Sequence, residues 1–164
     1  MSKASQRTMQ PTLVLDAVRT RRLDLLQKAL DSGANVDVPD RGGLTPLMES
    51  VLTRQPEMVM MLLERGADVN ARDRAGWTAL HFAAQDLLPE ISQILLSRGA
   101  QVDPRDSHGN TPLATAVFNS KGRGEMIELL LKHGADRSAP NAHGVSPESL
   151  AATITNYDIA RFFR

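Results

Sequence analysis

The chain contains no cysteine among its 164 residues. Disulfide frameworks, thiol nucleophiles and cysteine-based zinc sites are thereby excluded. Neither charge is in excess, because 19 Lys plus Arg face 19 Asp plus Glu. A net charge of zero argues against a general nucleic-acid binder and against a polybasic membrane binder. There is no run of about 18 apolar residues to span a bilayer. The opening "MSKASQRTMQ" has basic residues but no apolar segment behind them, so it does not read as a secretory signal. A cytoplasmic protein is expected, with residues 1–10 as a flexible tail. Catalytic signatures are also missing. No H-E-x-x-H is present, and no histidine or carboxylate has partners that complete a catalytic constellation.

The sequence has a hydrophobic fraction of 41%, enough to support a folded core. It also repeats itself. "GLTPLMESV" begins at Gly43, "GWTALHFAA" at Gly76, "GNTPLATAV" at Gly109 and "GVSPESLAA" at Gly144. Their hydroxyl residues, Thr45, Thr78, Thr111 and Ser146, are 33, 33 and 35 residues apart. A second series, "LDSGANVD", "LERGADVN", "LSRGAQVD" and "LKHGADRS", places Gly33, Gly66, Gly99 and Gly134 at the same steps. Two independent markers share one spacing and one two-residue insertion.

Local chemistry turns each period into two helices and a loop. Thr45, Thr111 and Ser146 are good N-caps followed by proline at N1, where its missing N–H costs nothing. Leu47 and Val51, Leu80 and Ala84, and Leu113 and Val117 lie four apart on one face of a short helix. Pro56 and Pro89 start second helices, with apolar stripes Met58, Val59, Leu62, Leu63 and Ile91, Ile94, Leu95, Leu96. The four glycines of the second series end those helices in αL. A short extended piece with a buried valine follows at Val36, Val69 and Val102. Such helices are too short to be stable alone, so their apolar faces must be buried against neighbouring units.

This pattern resembles the ankyrin repeat, G-x-T-P-L-H-x-A-A followed by L-L and G-A-x-V-N. The likeness covers residues 11–164. It implies an all-α solenoid of about five repeats, with approximate bounds 11–39, 40–72, 73–105, 106–140 and 141–164. The first is a degenerate cap keeping Leu15, Ala17, Val18, Leu25, Leu26 and Leu30 as its apolar positions. The last is truncated, with Phe162 and Phe163 closing the core at the end of its final helix. The resemblance makes His81 a structural residue, bonded to the Thr hydroxyl and to the backbone of an adjacent loop. Two positions depart from the pattern. Arg54 and Leu87 stand where most such repeats have glycine after the first helix, so a differently shaped turn is expected there. Arg137 replaces the buried valine, so the fourth loop is either looser or pairs that charge. "NSKGRGE", Asn119–Glu125, coincides with the insertion; it lacks the ending of a phosphate loop and is read as a lengthened connection or a loop reaching a partner.

The resemblance also implies a concave binding surface built from loop tips and the exposed side of each first helix. Alignment places Arg41, Gly42, Leu44, Leu52 and Thr53 on it from one repeat. Arg72, Arg74, Ala75, Trp77, Gln85 and Asp86 come from the next. Arg105, Ser107, His108, Asn110, Phe118 and Asn119 come from the third. Trp77, the only tryptophan, either touches a partner or covers its neighbour. Leu44, Leu52, Trp77 and Phe118 would be apolar where water is otherwise met. Arg41, Arg72, Arg74 and Arg105 would form a basic row, offset by Asp40, Asp73 and Asp106 holding the turns. Trp and Arg are the usual interface anchors. The function implied is a non-enzymatic module, monomeric when free, that needs no cofactor or metal. It would bind another protein of acidic or mixed face, not nucleic acid or membrane. Small bacterial ankyrin proteins of the immunity or inhibitor type are similar in size, and an adaptor or regulatory subunit fits the same residues.

Overall fold

The computed structural model describes residues 13–164. Residues 1–10, read as a tail, and the start of the first unit at Pro11 lie outside them. The first helix of each unit begins where a hydroxyl side chain meets the chain's polar turn. Thr45 Oγ1 accepts the Met48 N–H at 3.3 Å, Thr111 Oγ1 accepts that of Ala114 at 3.3 Å, and Ser146 Oγ accepts that of Ser149 at 3.2 Å. Proline follows at N1 in all three. Among the described residues the regular structure is entirely helical. In chain order it comprises α1 (13–19), α2 (Leu23–Asp31), α3 (Pro46–Leu52), α4 (Pro56–Glu64), α5 (Ala79–Gln85), α6 (Pro89–Ser97), α7 (Pro112–Asn119), α8 (Glu125–Lys132) and α9 (Pro147–Thr153). A single 3-10 turn, Ala160–Phe163, ends the chain.

The helices stack in two rows. The first helices α3, α5, α7 and α9 pack in sequence, and the second helices α4, α6 and α8 pack in parallel behind them. The apolar faces read from the sequence are what they bury: Leu47, Val51, Leu80, Ala84, Leu113 and Val117 are all at most 1% exposed. Met58, Val59, Leu62, Ile91 and Leu95 are buried behind them, while Leu63, Ile94 and Leu96 are half-buried. Full burial of each such side chain is worth about 1.5–3 kcal/mol, against about 1–2 for ordering a residue's backbone. Two details differ from expectation. Leu25 is exposed, because none of the described units covers that face, whereas its counterparts Met58, Ile91 and Met126 are buried. Val36, Val69 and Val102 are half-buried rather than buried, since the loops they sit on lie at the edge of the stack.

Both kinds of helix end alike. Gly66 has φ +83°, and the Gly66 and Ala67 N–H groups return to Leu63 O and Leu62 O at 3.1 and 3.0 Å. This pairing satisfies carbonyls the helix leaves open. The first helices α1, α3 and α5 use the same closure without glycine. Arg54 N–H reaches Val51 O at 2.9 Å and Gln55 N–H reaches Ser50 O at 3.0 Å, with Arg54 at φ +56°. Arg21 (+56°), Leu87 (+52°) and Lys121 (+47°) occupy the equivalent turns. The turn at Arg54 and Leu87 therefore keeps its left-handed shape, contrary to the expectation of a different one. The paired carbonyls and the stacking hold the backbone there against a side-chain penalty of about 1–2 kcal/mol per residue.

The C-terminal end departs most from the pattern. After α9 there is no second helix. Residues 155–158 turn, and the 3-10 segment brings Ile159 (0% exposed) and Phe163 (4%) into the core, while Phe162 is only half-buried. Arg137 pairs its charge, as one of the two expectations had it. Its guanidinium forks onto Glu148 at 3.0 and 2.6 Å, donates to the Phe163 carbonyl, and lies 5.5 Å over the Phe163 ring. The insertion receives this strap. Connections 53–55 and 86–88 have three residues each, and 120–124 has five. A Cβ on Gly124 would stand 2.1 Å from the Phe162 ring, and one on Gly122 would stand 3.0 Å from Tyr157. The Gly122-Arg123-Gly124 segment is the floor on which the C-terminal aromatic residues rest. We expect Gly124→Ala to destabilise the protein by about 1–3 kcal/mol in denaturant unfolding by displacing Phe162. In a Phe162→Ala background the same change should be neutral, and additive costs would contradict the contact.

Candidate functional site

The loops between units are held by a carboxyl or amide placed at the same step. Asp40 Oδ1 accepts the N–H groups of Gly42 and Leu44, Asp73 Oδ1 those of Ala75 and Trp77, Asp106 Oδ1 those of His108 and Asn110, and Asn141 Oδ1 those of His143 and Val145. All eight distances lie between 2.7 and 3.0 Å. The aspartates thus hold the turns. Each turn then bonds to the next, through Arg74 N–H to Gly42 O at 3.2 Å, Ser107 N–H to Ala75 O at 2.8 Å and Ala142 N–H to His108 O at 2.8 Å. Gly109 is required for this approach. Its φ is +78°, and a Cβ there would stand 2.9 Å from the Ala142 nitrogen.

His81 connects two units from inside. It is fully buried. Its Nδ1 accepts the Thr78 N–H at 3.1 Å and lies 3.0 Å from Thr78 Oγ1, and its Nε2 lies 3.2 Å from the Asn110 carbonyl. The Thr78 N–H fixes Nδ1 as an acceptor, so Nε2 carries the proton and donates it to Asn110 O. This is the structural role expected of it. Burial is the largest influence on its pKa and lowers it, outweighing the Asn110 bond and the nearby Asp106 charge. The Trp77 indole lies against His81 and Phe82, with ring centroids 5.6 and 5.0 Å apart.

Trp77 also forms one wall of a groove of about 540 Å³ between the last three units. Of the residues expected at the surface, Trp77, Gln85, Asn110, Phe118 and Asn119 come together there. Phe118 is 74% exposed, the most open large apolar side chain described. Trp77 both lines the groove and covers its neighbours. Asp86 is half-buried beside the first-helix ends and takes an ion pair from Arg54 at 3.2 Å. Leu44 and Leu52 are half-buried, and His108 is exposed on its turn, all outside the groove.

The arginines divide into two kinds. Arg72 donates to the Arg105 carbonyl at 2.6 Å, and Arg105 to the Pro140 carbonyl at 2.5 Å, so each staples its loop to the following one. Arg41 and Arg74 are exposed at turn tips. The four do not form one uniform row. The far wall is completed by Asn141, His143, Val145 and Leu150, beyond the three repeats on which the surface was expected. The signal was present: Val145 stands at the position of Leu44, Trp77 and Asn110, one step further on.

Comparison with known families gives two overlapping matches. A family model of ankyrin repeats (3 copies) matches residues 72–141, and one of ankyrin repeats (many copies) matches residues 29–83. Together they run from 29 to 141, more than half of the chain. No curated protein matches it.

The environment of His81 generates a pH test. Its pKa is lowered in the fold, so below about pH 6.5 the unfolded chain binds a proton that the folded chain does not. Stability is therefore complete above that pH. It should fall on acidification toward the folded pKa, with a limiting slope of about 1.4 kcal/mol per pH unit. Denaturant midpoints between pH 7 and 5.5 should show this loss in the wild type and a flatter profile in His81→Gln. Parallel profiles would contradict it.

Proposed function

The chain belongs to the ankyrin repeat family, and from that premise we propose that it is a non-catalytic module holding another protein against the face that carries its first helices and loop turns. Members of the family are generally protein-interaction modules without catalysis. The observation that carries the reading is the groove between Trp77, Phe118 and Val145, where an aromatic side chain stands open to solvent on an otherwise well-buried apolar framework. Single exposed apolar residues are ordinary, but an apolar groove with a polar rim is the form of an interaction site.

The partner's face in this reading is acidic or mixed, because Arg41 and Arg74 stand exposed at turn tips on the N-terminal side of the groove. The protein acts as a monomer in the cytoplasm, by occupying the partner and blocking it in the manner of an inhibitor or immunity protein. Three features support it. The described chain is built throughout of repeat units and one strap, among the described residues no cluster is suited to holding a metal, and no described helix is long and apolar enough to cross a membrane. An adaptor would use the same surface, and the partner's activity in the complex separates the two. A blocked partner supports the inhibitor, and an unaltered one supports the adaptor.

Phe118→Ala should weaken binding to the native partner at least tenfold while leaving stability within about 0.5 kcal/mol, because the ring is exposed in the free protein. Arg41→Glu with Arg74→Glu should weaken it by a similar factor. Calorimetry with the partner purified from the native host measures both. Wild-type affinity in both variants would contradict the surface.

A further inference from the structure

We infer that the groove selects a two-part segment of the partner: one uncharged bulky apolar side chain seated against Phe118 and Val145, with carboxylates displaced toward the N-terminal units and facing Arg74 and Arg41. This rests on the surface assigned above and adds the chemistry of what it reads.

The groove itself offers no fixed counter-charge, its polar lining beyond one engaged carboxylate being amides, Thr115 and His143. Its single carboxylate, Asp106, has a side chain only 4% exposed and an oxygen already engaged by two backbone N–H groups. No Lys or Arg lines it. A charged side chain inserted there would lose its hydration without a counter-charge, whereas an apolar one removes Phe118 and Val145 from water.

The rim has the opposite character, most strongly on one side. The carboxylates of Asp40 and Asp73 accept backbone N–H groups of their own turns, and Asp86 is paired with Arg54. The guanidinium groups of Arg41 and Arg74 point out from the same turns, and Arg72 is bonded to carbonyls, which leave its charge uncompensated. Further along, the tips are Ser107-His108 and Ala142-His143, with no Lys or Arg. Positive charge is thus denser at the N-terminal end of the surface, where Arg41, Arg72 and Arg74 stand against Arg105 alone further along, and the apolar seat lies at the C-terminal end. Packed helices are about 8–10 Å apart, and an extended chain advances about 3.3 Å per residue. One to two units of separation therefore correspond to roughly three to six residues between carboxylate and anchor.

The test uses Trp77 as the probe, since it is the only tryptophan and lines the groove. A capped synthetic peptide with two glutamates, a four-serine spacer and a terminal leucine is titrated against the full chain at low salt. Saturable change in Trp77 emission is expected, at least tenfold tighter than for the same peptide with lysines replacing the glutamates or with serine replacing the leucine. Arg74→Glu should abolish the preference for glutamate over lysine, and Phe118→Ala the preference for leucine over serine, both in variants that keep the wild-type circular dichroism. Equal binding of the lysine or serine peptide would overturn the inference. So would absence of any peptide binding while capture of the native partner still depends on Phe118; that result would leave the binding surface standing and refute only its chemistry. Loss of the Phe118 dependence itself would refute the surface.

Discussion

The apolar faces of α3, α5 and α7 are buried only when each helix packs against its own second helix and against the first helices of neighbouring units, and the rest of the molecule follows from that constraint. Each helix has seven to nine residues, below the length at which a helix persists alone in water. Leu47, Leu80 and Leu113 are buried on helices that pack against their own second helix and against neighbouring units. The loops repeat the logic with polar groups: each turn closes on its own Asp or Asn, then donates one N–H to the preceding turn. His81 joins the two layers, with one nitrogen on its own helix start and the other on the next unit's loop.

A stack of this kind leaves one set of positions uncommitted. Residues at the solvent side of the first helices and just after each turn are placed by the stack but not needed by it. Phe118 is the clearest case, standing 74% exposed on a helix whose opposite face is wholly buried. The same positions in other units carry Leu52 and Gln85, so the surface changes character from unit to unit while the framework does not. This separation between fixed scaffold and variable face lets one architecture serve many partners, and it is why function must be argued from the face.

The framework was legible in the sequence because its signals are local. Hydroxyl, proline, leucine and glycine at a fixed step specify caps, helix starts and left-handed ends without reference to distant residues. Three features were not legible; two depend on contacts across the stack and the third on hydrogen bonds that override residue preference. Gly122 and Gly124 read as a lengthened connection, yet they make room for Tyr157 and Phe162, which are more than thirty residues away. Arg72 and Arg105 read as interface cations, but a long guanidinium can also hold a neighbouring loop's carbonyl, and composition does not separate the two uses. At Arg54 and Leu87 residue preference argued for a new turn. The hydrogen bonds back to Val51, Ser50, Ala84 and Ala83 kept the old one.

Amide hydrogen exchange on the wild type and on Leu80→Ala, a buried truncation in the central unit worth about 2–5 kcal/mol, tests the mutual dependence of the units most directly. Protection should fall in α5 and also in α3 and α7, which carry no substitution, and least at the strap. Loss of protection confined to α5, with its neighbours at wild-type values, would show that each helical pair stands by itself and would contradict the account.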